Sequence, residues 1–460
     1  MMTKVKEILS NSIWMPIILT FGFLGWSLNF DLVAIPILCI FNALVLIFCD
    51  DIKNIFPLIL TVAFFINSVD TVVSIVVLAV SLGIFLIGVI YFIIKQFLNQ
   101  APMRKGKMFW AFVASTIAML AGGIIGYFNF LHFIIILAFA LISYFLYWAI
   151  LNFCPNFKDY IIQTFLVIAS ILCVQLLMSY ILVEDGFWTA ITSKSVPFIG
   201  LQNINVVAIY FMIAMVLTFY LGIKHRFDYL YTLLAMWFAI CTYFTYSRMG
   251  TLICFIAMVA LIIFTFIKSK NKAIYLFTGI VLLFIAQLTF VLLYDKIMKL
   301  FAWHSSLGVS GNGRDALWPW CWEKFLESPL FGVGYVSNKE PVPSLMTTDT
   351  IILAHNNLLQ YLTSLGIFGT ILMMYYNTQK YILAFQKFNL FKAFNFVNLF
   401  IISLSGITDQ SPTMDIFMTT IIIIFTVLAE KDTDEHKSTV EITHQELTDN
   451  TQQHTEVAKS

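Results

Sequence analysis

The sequence predicts an all-α polytopic membrane protein, with about 12–14 transmembrane helices and a large extracytoplasmic loop between late helices. Of its 460 residues, 60% are hydrophobic and 11% are charged, whereas soluble domains average roughly 25% charged residues. Apolar runs of about 18 or more residues recur along the chain, and each can cross a bilayer as a helix. Because lipid satisfies no backbone hydrogen bond, these spans must be helical despite their many β-branched residues.

Polar breaks divide residues 1–429, the predicted transmembrane domain, into about fourteen spans. The first has a basic start but no small-residue cleavage site, so we expect it to remain as an uncleaved helix. The predicted spans are residues 12–30, 32–49, 54–69, 72–97, 108–128, 130–151, 161–182, 206–223, 229–246, 250–267, 273–294, 356–377, 393–408 and 413–429.

The Lys and Arg residues predict how these spans are oriented. With the N-terminus inside, most of the 26 basic residues fall in inner loops, among them Lys380, Lys387 and Lys392. The positive-inside rule therefore predicts a multi-pass protein of the cell membrane with both termini cytoplasmic. Residues 430–460 are polar and poor in aromatic residues, so we expect a disordered cytoplasmic tail.

Two outer segments, residues 183–205 and 295–355, are longer than a turn requires, and long loops of compact proteins are usually functional. Arg248 and Arg314 lie on this outer side, where the topology rule does not place basic residues. Arg248 stands in "YSRMG", at the joint of two apolar helices. An arginine near the bilayer marks a substrate path or a paired charge by default. The alternative is that Arg248 reaches lipid phosphate.

Arg314 follows Gly311 and Gly313 and precedes "DALWPWCWEKFLES", which predicts a short amphipathic helix along the outer leaflet. The alternative is that Arg314 pairs with Asp315 or stabilises the turn. A guanidinium matches phosphate oxygens well. Two such groups at the outer interface indicate an anionic, lipid-anchored ligand, with a polyprenyl diphosphate as the natural candidate. Lys296 and Lys299 are weaker candidates for the same role.

His355 precedes the point where the outer loop re-enters the membrane as a helix, and a neutral histidine can act as a general base. The alternative is that His355 is a boundary residue. Asn356 or Asn357 could cap the helix start. Further candidates are acidic residues as an alternative base or sugar ligands, and aromatic residues that stack on sugars: Asp315, Asp349, Glu184, Asp185, Phe187, Trp188 and Trp303. We expect no metal, other cofactor or nucleic acid to be bound.

Four short segments, in order between about residues 198 and 372, resemble the O-antigen ligase and Wzy-type polysaccharide polymerase superfamily of membrane glycosyltransferases. "GLQNINVVAIY" is similar to its Asn-x-x-Ala segment, with Asn205 and Ala208. "YSRMG" is similar to its Ser-Arg-x-Gly segment. "GNGRDALW" with "ESPLFGVGY" is similar to its Gly-Arg-x-x-x-Trp and Pro-Leu-x-Gly-x-Gly segment, which includes Trp318. "AHNNLLQYLTSLGIFG" is similar to its His-Asn and Gly-x-x-Gly segment.

The resemblance implies inverting, metal-independent glycosyl transfer from undecaprenyl diphosphate at the outer face of the plasma membrane. Arg248 and Arg314 would stabilise the diphosphate leaving group, and His355 would be the general base. Asn205, Asn356, Trp318, Lys296 and Lys299 would help to bind substrate. Partners would be the undecaprenyl diphosphate-linked oligosaccharide and membrane lipid, with a flippase and a chain-length regulator as further candidates.

Three functions remain open at this stage. A polymerase of capsular polysaccharide, exopolysaccharide or O-antigen-like glycan would use another lipid-linked repeat unit as acceptor. A ligase would transfer the glycan to a lipid, wall polymer or protein. A flippase or other transporter of lipid-linked oligosaccharide would instead show internal repeats or charges near mid-membrane, and the charges of this chain gather at one face.

Overall fold

The computed structural model describes most of the membrane domain. The described residues are 2–28, 30–66, 72–100, 103–125, 130–182, 204–225, 228–274, 314–334, 354–406 and 418–434, with isolated positions between 276 and 298.

The described residues form α-helices and one 3₁₀ turn, with no strand among them. The helices are α1 Met2–Ser10, α2 Trp14–Ser27, α3 Asp31–Phe48, α4 Phe56–Ile66, α5 Val72–Leu98, α6 Phe109–Ile125, α7 Phe130–Phe153, α8 Phe157–Ile181, α9 Ile204–Lys224, α10 Asp228–Phe244, α11 Arg248–Lys268, α12 Arg314–Glu327, α13 Asn357–Phe385, α14 Leu390–Ser405 and α15 418–434. The 3₁₀ turn is Lys53–Ile55.

Six described helices are long and apolar enough to cross a membrane, and a pair bent by 63° at the N-terminus would make a seventh span. Four shorter apolar helices, parts of α3, α6, α10 and α14, accompany them. The prediction of an all-α polytopic membrane protein is confirmed. The six spans are Ala79–Leu98, Ile136–Phe153, Phe157–Ile181, Asn205–Lys224, Met249–Lys268 and Asn357–Phe385.

Helix α9 lies at the centre of the bundle. It is apolar on all sides, and 83% of its span is buried, compared with 28% for α11. A helix without a polar face must be surrounded by other helices or by lipid. Helices α8, α10, α11 and α14 surround α9, so its contacts set the position of the later helices that carry the resembling segments.

Ring contacts between antiparallel helices show which helix ends lie together. Phe264, near the end of α11, lies 5.9 Å from Phe394, near the start of α14, between ring centroids. Tyr220, near the end of α9, lies 5.8 Å from the same ring. The starts of α9 and α11 therefore lie at the same end of the bundle as the end of α14. We call this end, formed by the starts of α9 and α11 and the end of α14, the site end.

The opposite end of the bundle, which we call the charged end, carries most of the described ion pairs. Lys158 lies 3.2 Å from Asp432, Arg104 lies 3.3 Å from Asp434, and Lys224 lies 3.4 Å from Asp159 between the charged atoms. The concentration of lysine here agrees with the positive-inside rule. That the charged end faces the cytoplasm stays a prediction.

Helix α15 extends past residue 429, the predicted end of the membrane domain. Glu430 is only 3% exposed, and its carboxylate accepts hydrogen bonds from the Tyr147 hydroxyl at 2.5 Å and the Lys107 backbone N–H at 2.9 Å. These bonds anchor α15 at the charged end. The start of the predicted tail is therefore ordered to residue 434, and residues 435–460 lie outside the described residues.

Candidate functional site

Two of the resembling segments meet where α9 and α11 begin. Ser247 caps α11, because its hydroxyl accepts a hydrogen bond from the Gly250 backbone N–H at 3.1 Å. A Cβ atom added at Gly250 would lie 2.8 Å from the Ser247 hydroxyl and 3.0 Å from the Ala208 Cβ. The Ser and Gly of Ser-Arg-x-Gly and the Ala of Asn-x-x-Ala therefore pack the two helices closely together. This contact brings the backbones of Arg248 and Asn205 to the site end.

His355 lies in a tightly held turn before α13. Its backbone φ is +49°, a left-handed conformation that few residues other than glycine adopt. The preceding residue, Ala354, is fixed on both sides. Its N–H donates to the Gln360 side chain at 2.7 Å, and its carbonyl accepts from the Trp318 indole N–H at 2.9 Å. Asn356 then caps α13 by accepting from the Leu359 N–H at 3.0 Å, which confirms the prediction of an asparagine cap.

The same contact places α12 beside His355. Arg314 is the first residue of α12, and Trp318 is four residues later, so both lie on one face of the helix about one turn apart. Since Trp318 donates to Ala354, the start of α12 lies close to the His355 turn. Trp318 was predicted to bind substrate, but its polar atom is already bonded to the protein backbone.

Helix α13 is interrupted at Gly366, where φ is +63° and ψ is −169°. The interruption removes helical hydrogen bonds, and the segment that follows α12 replaces them. The Val333 N–H donates to the Thr363 carbonyl at 2.8 Å, and the Gly334 N–H to the Ser364 carbonyl at 3.0 Å. In all, four backbone hydrogen bonds join the chain around the break to residues 329–334.

The other two bonds run in the opposite direction. The Ile367 N–H donates to the Pro329 carbonyl at 2.8 Å, and the Phe368 N–H to the Leu330 carbonyl at 3.1 Å. These two N–H groups would otherwise bond to the carbonyls four residues earlier in the helix. All four backbone groups freed by the break are thus satisfied. We call residues 328–334 together with 363–369 the junction.

Two glycines allow the backbones of the junction to approach. A Cβ atom at Gly332, where φ is +74°, would lie 2.4 Å from the Leu365 nitrogen. A Cβ atom at Gly366 would lie 2.4 Å from the Leu330 carbonyl carbon. Gly122 of α6 is also close, since its Cβ would lie 2.5 Å from the Ser364 oxygen. The Pro-Leu-x-Gly-x-Gly and Gly-x-x-Gly segments therefore hold α12 and α13 together.

The break makes α13 fold back. Tyr361 and Asn377 line the same cavity, although on a straight helix the two Cα atoms would lie about 24 Å apart. The helix therefore has a short arm, 357–365, and a long arm, 367–385, that converge on one side. The Asn357 N–H at the start of the short arm donates to the Gly406 carbonyl at 2.8 Å, just after α14. This bond brings His355 to the site end, where Arg248 and Asn205 also lie.

Cys321 is the cysteine of α12 and contacts the junction, but its chemistry is that of a packed side chain. Burial raises the pKa of its thiol to about 12, so it stays protonated at neutral pH. The Thr363 hydroxyl donates to the Cys321 carbonyl at 3.0 Å. Among the described residues, no group of three or more His, Cys, Asp or Glu side chains is placed to hold a metal ion.

Several predicted site residues lie outside what the structure describes. For Arg248 and Arg314 it gives the backbone but not the side chains. The following fall outside the described residues altogether: Lys296, Lys299, Glu184, Asp185, Phe187, Trp188, Trp303, Gly311, Gly313 and Asp349. The side chain of Asp315 is likewise not described.

Neither Gln360 nor Lys380 was predicted from the sequence to be buried. Gln360 is fully buried and holds Ala354, and a buried glutamine inside an apolar helix is the signal that could have indicated this contact. Lys380 was assigned to an inner loop, which is wrong, because α13 continues to Phe385 and Lys380 is only 2% exposed within it. The polar residues around 377–380 were interpreted as the end of a span, whereas Asn377 and Lys380 line a cavity within the helix bundle.

Comparison with known proteins supports the resemblance. Residues 232–374, about a third of the chain, match the family model described as O-Antigen ligase. This range contains three of the four resembling segments, and the Asn-x-x-Ala segment lies before it. No curated protein and no solved structure gives a match. The resemblance to the O-antigen ligase and Wzy-type superfamily is thus confirmed, and the match supports an enzyme of the ligase or polymerase type that uses lipid-linked oligosaccharides.

Proposed function

Since residues 232–374 match the O-antigen ligase family model, we propose that the protein polymerises undecaprenyl diphosphate-linked oligosaccharide repeat units at the outer face of the membrane. The observation that carries this proposal is the arrangement of the site end. There, the His355 turn lies beside the start of α12, which Arg314 begins, and shares one end of the bundle with the start of α11, which Arg248 begins.

The two helix starts favour an anionic ligand. The first turn of an α-helix carries unpaired N–H groups and the positive end of the helix dipole. Arg248 opens a helix of 21 residues and Arg314 one of 14, so each guanidinium adds a full charge to a terminus that already attracts anions. A diphosphate is the ligand that such a pair of termini suits best, because it offers oxygens to both.

In the proposed reaction, His355 accepts the proton of the attacking sugar hydroxyl. The hydroxyl oxygen forms a bond to the anomeric carbon of the donor from the face opposite the diphosphate. The bond between that carbon and the diphosphate oxygen breaks, and its electron pair stays on the diphosphate. Arg248 and Arg314 stabilise this growing negative charge. The products are a longer glycan with an inverted linkage and undecaprenyl diphosphate.

The other site residues take supporting roles in this proposal. Trp318 and Asn356 position His355, the first through Ala354 and the second by capping the short arm. Asn205, at the start of α9, is proposed to contact the sugar or the diphosphate. Lys296 and Lys299 are proposed to add positive charge near the donor.

A ligase is the second candidate, and the description of the matching family favours it. The two activities share the donor, the leaving group and the base, and they differ in the acceptor. Purified protein given only lipid-linked repeat units separates them. A polymerase makes a ladder of longer glycans on the same lipid, whereas a ligase leaves the repeat units unchanged until its acceptor is added.

The same assay tests the site. His355→Asn keeps a residue type that tolerates the left-handed backbone but removes the base, so we expect transfer to fall by about 10²–10⁴-fold. Arg248→Lys and Arg314→Lys keep the charge but lose the planar fork of donors, and we also expect them to stop polymer growth. Arg104→Lys at the charged end is the matched control. Normal ladders from all three site variants would refute the assigned roles.

A further inference from the structure

A cavity of about 470 Å³ lies between the two arms of α13 and helices α6, α7 and α15. This volume falls in the range of sites that bind small ligands. Most of its wall is apolar and aromatic, and it includes Phe112, Met119, Phe139, Met373 and Tyr376. The walls suit a hydrocarbon chain.

The cavity opens to the apolar surface of the bundle. Leu358 of the short arm and Met374 of the long arm both line it, and each is 56% exposed. In a membrane this surface faces lipid chains. A lipid can therefore place one end in the cavity while its remaining chain stays in the bilayer.

Among the described residues of the cavity wall, Lys380 is the cation. Lys380 lines it and is 2% exposed, and its ammonium lies 5.4 Å from the centre of the Tyr381 ring. Within the described parts of the chain, no carboxylate lies within 4.0 Å of Lys380. A buried cation without a counter-charge is strongly unfavourable, and intramembrane cations mark binding sites by default.

Two more polar groups of the cavity wall are unsatisfied. The Ser143 hydroxyl and the Asn357 side-chain oxygen are buried, and neither has a hydrogen-bond partner among the described residues. Buried polar atoms in proteins are nearly always bonded. Together with Lys380, these groups indicate that the cavity is completed by a ligand that has a polar, negatively charged end and an apolar body.

We propose that this cavity binds a lipid phosphate, with its phosphate group at Lys380 and its chain along the Met and aromatic wall. Lysine commonly binds phosphate as a point charge. The phosphate oxygens would accept the hydrogen bonds that the buried ammonium can donate. Because Asn356 and Asn357, which follow His355, also line the cavity, it adjoins the His355 turn, and the test therefore measures lipid binding independently of transfer. An isoprenoid phosphate and a bilayer phospholipid share this chemistry, and the experiment distinguishes them.

The test measures thermal unfolding of the full-length protein in detergent. Geranylgeranyl phosphate should raise the Tm of the wild type by several degrees, whereas inorganic phosphate and geranylgeraniol should not. A second measurement uses phosphatidylglycerol in place of geranylgeranyl phosphate. A rise with either phosphate lipid that depends on Lys380 supports the site, and the lipid that gives it identifies the source.

Lys380→Met replaces the ammonium with an apolar group of similar length. We expect its Tm without ligand to equal or exceed that of the wild type, because the uncompensated charge is gone, and we expect no rise with either lipid. Lys268→Met, at an exposed helix end, is the control and should respond as the wild type does. An equal rise in Lys380→Met, an equal effect of geranylgeraniol, or no rise in the wild type overturns the proposal. A strongly destabilised Lys380→Met also overturns it, because the lysine would then serve the fold alone.

Discussion

Replacing Gly366 with alanine tests whether the junction holds the catalytic turn. Gly366 has φ +63° and ψ −169°, a region that is essentially restricted to glycine, and a side chain there costs about 1–3 kcal/mol in backbone strain. The added Cβ would also lie 2.4–2.5 Å from backbone atoms of Leu330 and Phe331, which cannot move without breaking the junction. Relief of this clash therefore requires the loss of hydrogen bonds.

The size of the effect follows from the four bonds of the junction. Each hydrogen bond contributes about 0.5–1.5 kcal/mol net, so losing all four costs about 2–6 kcal/mol. The protein will either keep the strained backbone or break these bonds, whichever costs less free energy. We expect Gly366→Ala to destabilise the protein by about 2 kcal/mol or more. We also expect polymer formation to fall sharply, because the junction fixes α12 against the arm that carries His355.

Unfolding can be followed with a thiol-reactive dye, because all seven cysteines are buried. Polymer formation is measured in the same membranes as a ladder of glycans. Gly83→Ala is the matched control, since a Cβ at Gly83 meets no atom within 4 Å and alanine favours helix. A wild-type Tm and a full ladder from Gly366→Ala would refute the role of the junction.

Three further predictions concern single contacts. Gln360→Leu leaves the Ala354 N–H and the Ser364 hydroxyl without their glutamine partner, so we expect the free energy of unfolding to fall by about 1–3 kcal/mol. We also expect slower transfer with normal donor binding. Faster or equal transfer would contradict this. Trp318→Phe replaces the indole with a smaller ring that has no N–H to donate to Ala354, and it should slow transfer, whereas the same change at Trp322 should not. The thiols of Cys173 and Cys241 lie 3.3 Å apart, so oxidation of membranes should give a linked peptide pair by mass spectrometry, and its absence would show that α8 and α10 pack differently.

The sequence was sufficient to predict the class of fold and an asparagine cap, at Asn356 or Asn357, for α13. Hydropathy identifies apolar helices because lipid forces every spanning segment to satisfy its own backbone. The cap follows from local chemistry, since an asparagine before a helix accepts from its first turn. Both properties depend only on neighbouring residues and the solvent.

The fold-back of α13 could not be predicted from the sequence in the same way. "LTSLGIFG" has the hydropathy of a continuous span, and a glycine within a helix is often tolerated. The helix breaks because residues 329–334, which precede it by about thirty positions, supply the missing hydrogen bonds. The burial of Lys380 has the same origin, because only the fold-back encloses the cavity that this side chain faces.

The most direct test of the central proposal measures donor binding and glycan transfer separately. Purified wild type, His355→Asn and the double variant Arg248→Lys/Arg314→Lys are each given labelled lipid-linked repeat units. We expect His355→Asn to bind the donor as tightly as the wild type but to transfer almost none of it, and we expect the double variant to lose binding. Normal transfer by His355→Asn, or normal donor binding by the double variant, would contradict the account.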